Sequence, residues 1–349
     1  MRDFLPLIVG NDALRRRLGT EIATGARSHA YIIEGARGSG KRTLAKQLAM
    51  AVACEHRADA SYPLPCGECA CCRKLREGLS PDVITVTRPE DRATMGVDTV
   101  RLVREGLAVV PNDLDTKIYI IEDAHTMTEQ AQNAFLLSLE EPPSFVLFLL
   151  LTEDANALLE TIRSRAPVYR MQPLDEADVE KHLLAPTTAT HIRNAARTLS
   201  DNAPREFAEL LKMSDGRIGI AEELLDATRR EAVLERRANA QTICQLLATR
   251  TRNDALLLLL LSLGTGREAV SEQLRVLQLA LRDLTALSCA EQPPLCFFTD
   301  REEATELSAR FTAKELLSKI EATSRAQAAL AANANVRLTI MQFLGDLIA

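Results

Sequence analysis

Gly35-Ala36-Arg37-Gly38-Ser39-Gly40-Lys41-Arg42-Thr43 follows the apolar run Ala30-Tyr31-Ile32-Ile33 and precedes a pattern in which Leu44, Leu48, Ala51 and Val52 share one helical face. Strand, Gly-rich loop and helix together are the context of a phosphate-binding loop. Glycines let backbone N–H groups turn toward phosphate oxygens, and the helix N-terminus adds its positive end. Gly35, Gly38, Ser39, Gly40, Lys41, Arg42 and Thr43 are the candidate nucleotide contacts, with Lys41 directed at the β- and γ-phosphates. One position departs from the pattern. The hydroxyl that would ligate Mg²⁺ belongs directly after the lysine, where Arg42 stands, and Thr43 comes one residue late. One residue turns a helix by about 100°, so Thr43 is expected to miss the metal and binding of ATP or ADP to be weak or absent.

Working outward, Asp82-Val83-Ile84-Thr85-Val86, Lys117-Ile118-Tyr119-Ile120-Ile121 and Phe145 to Leu151 read as further strands, with a short one at Val168-Tyr169-Arg170-Met171. The spacing of Val97, Val100, Val103 and Leu107 and the segment 128–140 read as helices between them. Alternating strands and helices predict a doubly wound α/β domain with a parallel sheet. Beyond Pro173 the pattern is helical. The expected division is an α/β domain over 1–172, a small helical lid over 173–232 and an all-helical domain over 233–349. The run Leu256 to Leu261 fits a helix buried on most sides.

The strand at 117–121 ends in Glu122-Asp123. Two acids at such a strand end hold Mg²⁺ and polarise the attacking water, in the usual order Asp then Glu. Reversing the order displaces both carboxylates by roughly 1.5 Å, one carbon–carbon bond. In-line attack is sensitive to errors of about 1 Å, so hydrolysis should be poor. The alternative is a pair of acids capping the strand end.

Cys66-x-x-Cys69-x-x-Cys72, with Cys54 before it, offers four thiolates within a module at 54–72. Two-residue spacers let thiolates wrap one ion, and four give the closed tetrahedral site of structural Zn²⁺. Cys71 stands beside Cys72 and leaves the register open. Free thiols or a redox pair are the competing readings. Cys244, Cys289 and Cys296 are expected in helix cores.

The chain has 349 residues, 46% hydrophobic, 26% charged and 4% aromatic, with no Trp and a net charge of −6. This is a globular composition, and the acidic balance argues against a chain that coats DNA by itself. The first residues lack the apolar core of a signal peptide. The longest apolar run, Ala255 to Leu261 continued by Leu263, falls short of the about 20 residues of a membrane span. A cytoplasmic, non-membrane protein with reduced thiols is expected.

Three segments then carry a resemblance over about residues 5–225. Arg27-Ser28-His29-Ala30-Tyr31 precedes the loop, a four-Cys module follows the first helix, and Ala131-Gln132-Asn133-Ala134-Phe135-Leu136-Leu137-Ser138-Leu139-Glu140-Glu141-Pro142-Pro143 is similar to a segment "NALLKTLEEPP". Together they resemble the bacterial DNA polymerase III clamp loader, an AAA+ assembly. Thr161-Ile162-Arg163-Ser164-Arg165-Ala166 matches that family's "SRC" motif with Ala166 in place of Cys. The resemblance implies that Arg165 is an arginine finger reaching a neighbouring subunit's ATP, that Thr152 sits at the sensor 1 position, and that residues 233–349 form an oligomerising collar. It also implies a hetero-oligomer with gamma/tau and delta subunits acting on the sliding clamp and primed DNA.

Within the family the motor subunit, gamma/tau, should carry Lys-Thr or Lys-Ser, Asp-Glu and a sensor arginine in the lid. Here stand Lys41-Arg42, Glu122-Asp123 and, at the sensor position, Gly219. Three departures in the chain's own site beside a retained Arg165 are similar to the delta-prime subunit, which implies little or no ATPase activity of its own. The alternatives are the ATP-hydrolysing motor subunit and an unrelated zinc-bearing P-loop ATPase of DNA repair.

Overall fold

Five strands form one parallel sheet in the order β2-β3-β4-β1-β5: β1 Ala30–Glu34, β2 Val83–Val86, β3 Lys117–Ile121, β4 Val146–Thr152 and β5 Val168–Arg170. The computed structural model describes residues 2–89, 92, 94–249, 263, 266–332 and 334–348. Parallel pairing needs both faces covered, and the side chains alternate accordingly. Tyr31, Ile33, Ile118, Ile120, Leu147, Leu149 and Leu151 face one cluster. There they meet α1 Asp12–Ala23 and α2 Lys41–Ala53 through Leu18, Ile22, Leu44 and Leu48. Ala30, Ile32, Tyr119, Ile121, Phe148 and Leu150 face the other. That side is closed by α4 Val97–Gly106, α5 Glu129–Glu140 and α6 Glu160–Arg163. A short helix, α3 Ala70–Arg76, begins at the end of the Cys-rich module and carries Cys71 and Cys72.

From β1 the chain passes to the edge strand β2 and returns through β3 and β4 to β1's side, while β5 covers the other side. Glu34 is in register with both Thr152 and Arg170. The carboxyl ends of β1, β3 and β4 therefore share one edge, the place where open α/β sheets take ligands.

The chain divides into two compact units, Met1–Arg197 with Ser214–Glu222, and Thr198–Met213 with Glu223–Ala349. The segment 173–232, expected as a lid, contributes to both. It holds α7 Glu176–Leu184, α8 Thr190–Asn202, α9 Pro204–Ser214 and α10 Ile218–Leu224. The second unit adds α11 Ala227–Ala248, α12 Arg267–Cys289, α13 Arg301–Ser308, α14 Ala313–Ala331 and α15 Val336–Ile348. Its core joins Ile243, Leu274, Leu277, Leu281, Leu316, Phe343 and Leu347. The buried Asp283 accepts from the amides of Cys296, Phe297 and Phe298 at 2.9, 2.7 and 3.2 Å and so fixes the loop after α12. The Leu256–Leu261 run lies outside the described residues. Of the three cysteines expected in helix cores, Cys244 is buried, but Cys289 is exposed at the end of α12 and Cys296 is half-buried in the loop. Cys289 is the last residue of α12, and Cys296 lies in a loop rather than a helix, beside the buried Phe297 and Phe298. Among the described residues no helix is long and apolar enough to cross a membrane.

Phe148 is fully buried, edge-on to Phe135 at 5.1 Å and tilted against Tyr119 at 5.7 Å. Phe148→Ala is expected to lower unfolding stability by about 3–5 kcal/mol in a urea titration. A loss below about 1 kcal/mol would contradict this packing.

Candidate functional site

The loop after β1 begins with Gly35, whose N–H donates to Thr152 O at 3.1 Å and continues the β1–β4 ladder past the last strand residue. Gly38 and Gly40 have φ of 78° and 93°, a region open to glycine at low cost. Gly40 is the N-cap of α2, which leaves the first amides of that helix without intrahelical acceptors. Lys41 Nζ folds back on the loop and donates to Gly35 O at 2.6 Å and Ala36 O at 3.0 Å. Burial lowers its pKa, opposed by the charges of Glu153 and Asp123. Ser39 Oγ is buried without a hydrogen-bond partner.

Arg42 and Glu122 meet. Arg42 Nε donates to Glu122 Oε1 at 2.5 Å and Nη2 donates to Oε2, a two-pronged ion pair. The carboxylate is 10% exposed and the guanidinium side chain 68%. The hydrogen bonds to Glu122 raise the Arg42 pKa. Asp123 is exposed and adopts a left-handed φ of 49°; aspartate tolerates that region better than most residues. Thr43 is exposed on α2.

Thr152 is fully buried at the end of β4. Its hydroxyl donates to Asp154 O at 2.8 Å and accepts from Asp154 N at 3.2 Å, so it braces the turn after the strand. Two contacts at this edge carry no sequence signal. Glu34 accepts from Arg170 Nε at 2.5 Å and from the Ala155 amide at 3.3 Å. Gly219 N–H donates to Gly38 O at 2.9 Å, and Ile220 lies where a Cβ on Gly38 would fall. A Cβ on Gly219 would approach Gly38 Cα to 3.0 Å, so this close contact depends on a small residue there.

Arg165 follows α6 on an exposed edge. Its Nη2 donates to Glu140 Oε1 at 2.9 Å and its Nη1 to Thr161 O at 3.0 Å. The two side chains of the ion pair are 36% and 46% exposed. Such a surface pair contributes about 0–1 kcal/mol, so it can be exchanged for another anion at little cost.

The thiols of Cys54, Cys66, Cys69 and Cys72 all lie within 4.8 Å of one another, a set that can hold a metal ion such as Zn²⁺. Cys71, half-buried, stands outside it. Backbone amides point at the sulfurs: Glu68 and Cys69 N–H at Cys66 Sγ, both 3.4 Å, and Cys72 N–H at Cys69 Sγ, 3.4 Å. Burial pushes the Cys66 thiol up, but these amide donors outweigh it and bring its pKa down to about 7; burial holds Cys54 and Cys72 above the usual thiol range. Amide donors that favour thiolate suit a metal centre, which requires deprotonated sulfur. Arg2 secures the preceding loop by donating to Tyr62 O, Arg57 O and His56 O at 2.9, 2.9 and 3.0 Å.

Residues 10–175 match the family described as DNA polymerase III, delta subunit. The chain is 33% identical over 226 residues to DNA polymerase III subunit tau of Bacillus subtilis, covering 60% of this chain and 39% of that protein. It is 36% identical over 191 residues to DNA polymerase III subunit delta' of Pseudomonas aeruginosa, covering 54% and 53%. It thus spans less than two thirds of the length of these relatives. A DNA polymerase III gamma subunit-related protein from Thermotoga maritima aligns with a TM-score of 0.43 at 18% identity, over 94% of this chain and 97% of that one.

The purified chain is expected to carry about one Zn²⁺, as a closed four-thiolate site requires. Cys72→Ser should lose it and lower the unfolding midpoint, while Cys71→Ser should keep it. Metal analysis showing full zinc in Cys72→Ser would contradict the assignment.

Proposed function

We propose that the chain, whose residues 10–175 match the family described as DNA polymerase III, delta subunit, acts as a delta-prime subunit of a clamp loader that serves a neighbour's ATP site more than its own. The observation that carries this reading is the Arg42–Glu122 ion pair. It engages the two positions that a hydrolysing subunit needs for Mg²⁺. Gly219 adds no cation where the lid of a motor subunit supplies one. Arg165, by contrast, is half-buried at the surface and held by a weak surface pair.

In this reading the chain joins gamma/tau and delta subunits in a loader that places the sliding clamp on primed DNA. Arg165 leaves Glu140 for the transferring phosphoryl group bound by the neighbour. A guanidinium so placed stabilises the charge that builds up on the phosphoryl oxygens, an effect of about 10³–10⁵ in rate. The four thiols would hold a structural zinc that pins the 54–72 module to α2 and to the first residues of the chain. Leu5 N–H already donates to Leu64 O at 2.6 Å and Leu64 N–H to Asp3 O at 2.9 Å. The residues 233–349 supply the collar.

Arg165→Ala, in a loader reconstituted with clamp and primed DNA, is expected to lower DNA-stimulated ATP turnover by about tenfold or more with assembly intact. Unchanged turnover would leave Arg165 a surface ion-pair residue and remove the basis of this proposal.

A further inference from the structure

In a hydrolysing phosphate loop, a hydroxyl after the lysine and an acid at a neighbouring strand end hold a divalent cation between them. Here the two positions, 80 residues apart in sequence, close directly on each other. Both oxygens of Glu122 are engaged by one guanidinium, and that carboxylate is nearly buried. A divalent cation entering between them would have to open this fork. It would also sit against a guanidinium that always carries its charge. Only the Glu122 end of the pair is shielded; the guanidinium already neutralises that carboxylate, so a cation gains little by displacing it and is repelled by the positive charge beside it. The pairing therefore disfavours a cation between the two positions and leaves a positive charge in its place.

We propose that Arg42 is a built-in replacement for the divalent cation, and that this loop takes a nucleoside diphosphate free of metal. The fork engages two of the five N–H donors of the guanidinium. The others belong to a side chain that is 68% exposed, at the N-terminus of α2, and can reach phosphate oxygens. The replacement has one positive charge fewer than Mg²⁺. A metal-free diphosphate has about one negative charge fewer than a triphosphate, so its sum with Arg42 matches that of a metal-bound triphosphate; the ion's own charge sets the preference. The loop supplies the remaining donors. Lys41 rotates from Gly35 O and Ala36 O to the phosphate. Ser39 Oγ, buried without a partner and aimed at Gly35, turns to the same group. With no metal to polarise water and Asp123 exposed beside Glu122, the occupant is retained rather than hydrolysed. This inference concerns the chain's own loop and does not depend on Arg165 or on the delta-prime assignment.

The test is calorimetric titration of the full chain, stripped of nucleotide, with ADP and with ATP, each in EDTA and in Mg²⁺. ADP is expected to bind in EDTA, with Mg²⁺ changing its Kd by less than about threefold, and to bind more tightly than metal-free ATP. Tightening of about tenfold or more on adding Mg²⁺ would overturn the proposal. So would the absence of ADP binding in EDTA by a chain whose circular dichroism shows it folded. The double variant Arg42→Thr with Glu122→Asp restores a hydroxyl and a short acid. It is expected to bind ADP about tenfold or more weakly in EDTA than in Mg²⁺. A folded double variant that stays indifferent to Mg²⁺ would also overturn the proposal, and the wild-type titration decides the question alone if the variant fails to fold.

Discussion

The parallel ladder that sets β1 between β4 and β5 is the constraint on which the rest depends. Because β1 is flanked on both sides, its last residue and the loop that follows are held by backbone bonds: Gly35 N–H to Thr152 O at 3.1 Å, and Met171 N–H to Glu34 O at 2.8 Å. The loop then turns into α2, whose apolar face packs on the same sheet. Anything at the carboxyl edge of the sheet is positioned with respect to this ladder. That is how an arginine on α2 and a glutamate at the end of β3 come to lie within hydrogen-bond distance.

At that edge the unusual residues of the loop and of the β3 end form a consistent set. Arg42 has no oxygen to offer Mg²⁺, and it engages both oxygens of Glu122, so the two side chains satisfy one another. A nearly buried carboxylate without such a partner would be costly. The two residues therefore compensate one another electrostatically. Thr152 follows the same logic, with a hydroxyl turned to its own turn at Asp154 rather than toward the loop.

Much of the fold was legible. The strands at 30–34, 117–121 and 146–152 are continuous apolar runs, and such runs at this length belong to a sheet covered on both faces. The face Leu44, Leu48, Ala51 and Val52 is buried as its spacing requires. The short α3 was not legible, because its cysteines and its basic residues give no apolar period. Spacing alone left the register of Cys71 against Cys72 open; the fold places Cys72 in the cluster. For the site, the sequence marked Arg42 and Glu122 separately as departures. Their pairing is a long-range contact, and no local pattern encodes it. The same holds for the Gly219–Gly38 hydrogen bond and for Glu34 with Arg170. Cys289 follows apolar residues in sequence yet is exposed, because proximity to apolar residues does not say which side of the helix a residue occupies.

On the function proposed above, this chain does not hydrolyse ATP by itself. The most direct measurement is ATP turnover by the purified chain alone in Mg²⁺, compared with Lys41→Ala. No turnover above that of the variant is the predicted result. Turnover that disappears with Lys41→Ala would contradict the account and make the chain a motor in its own right.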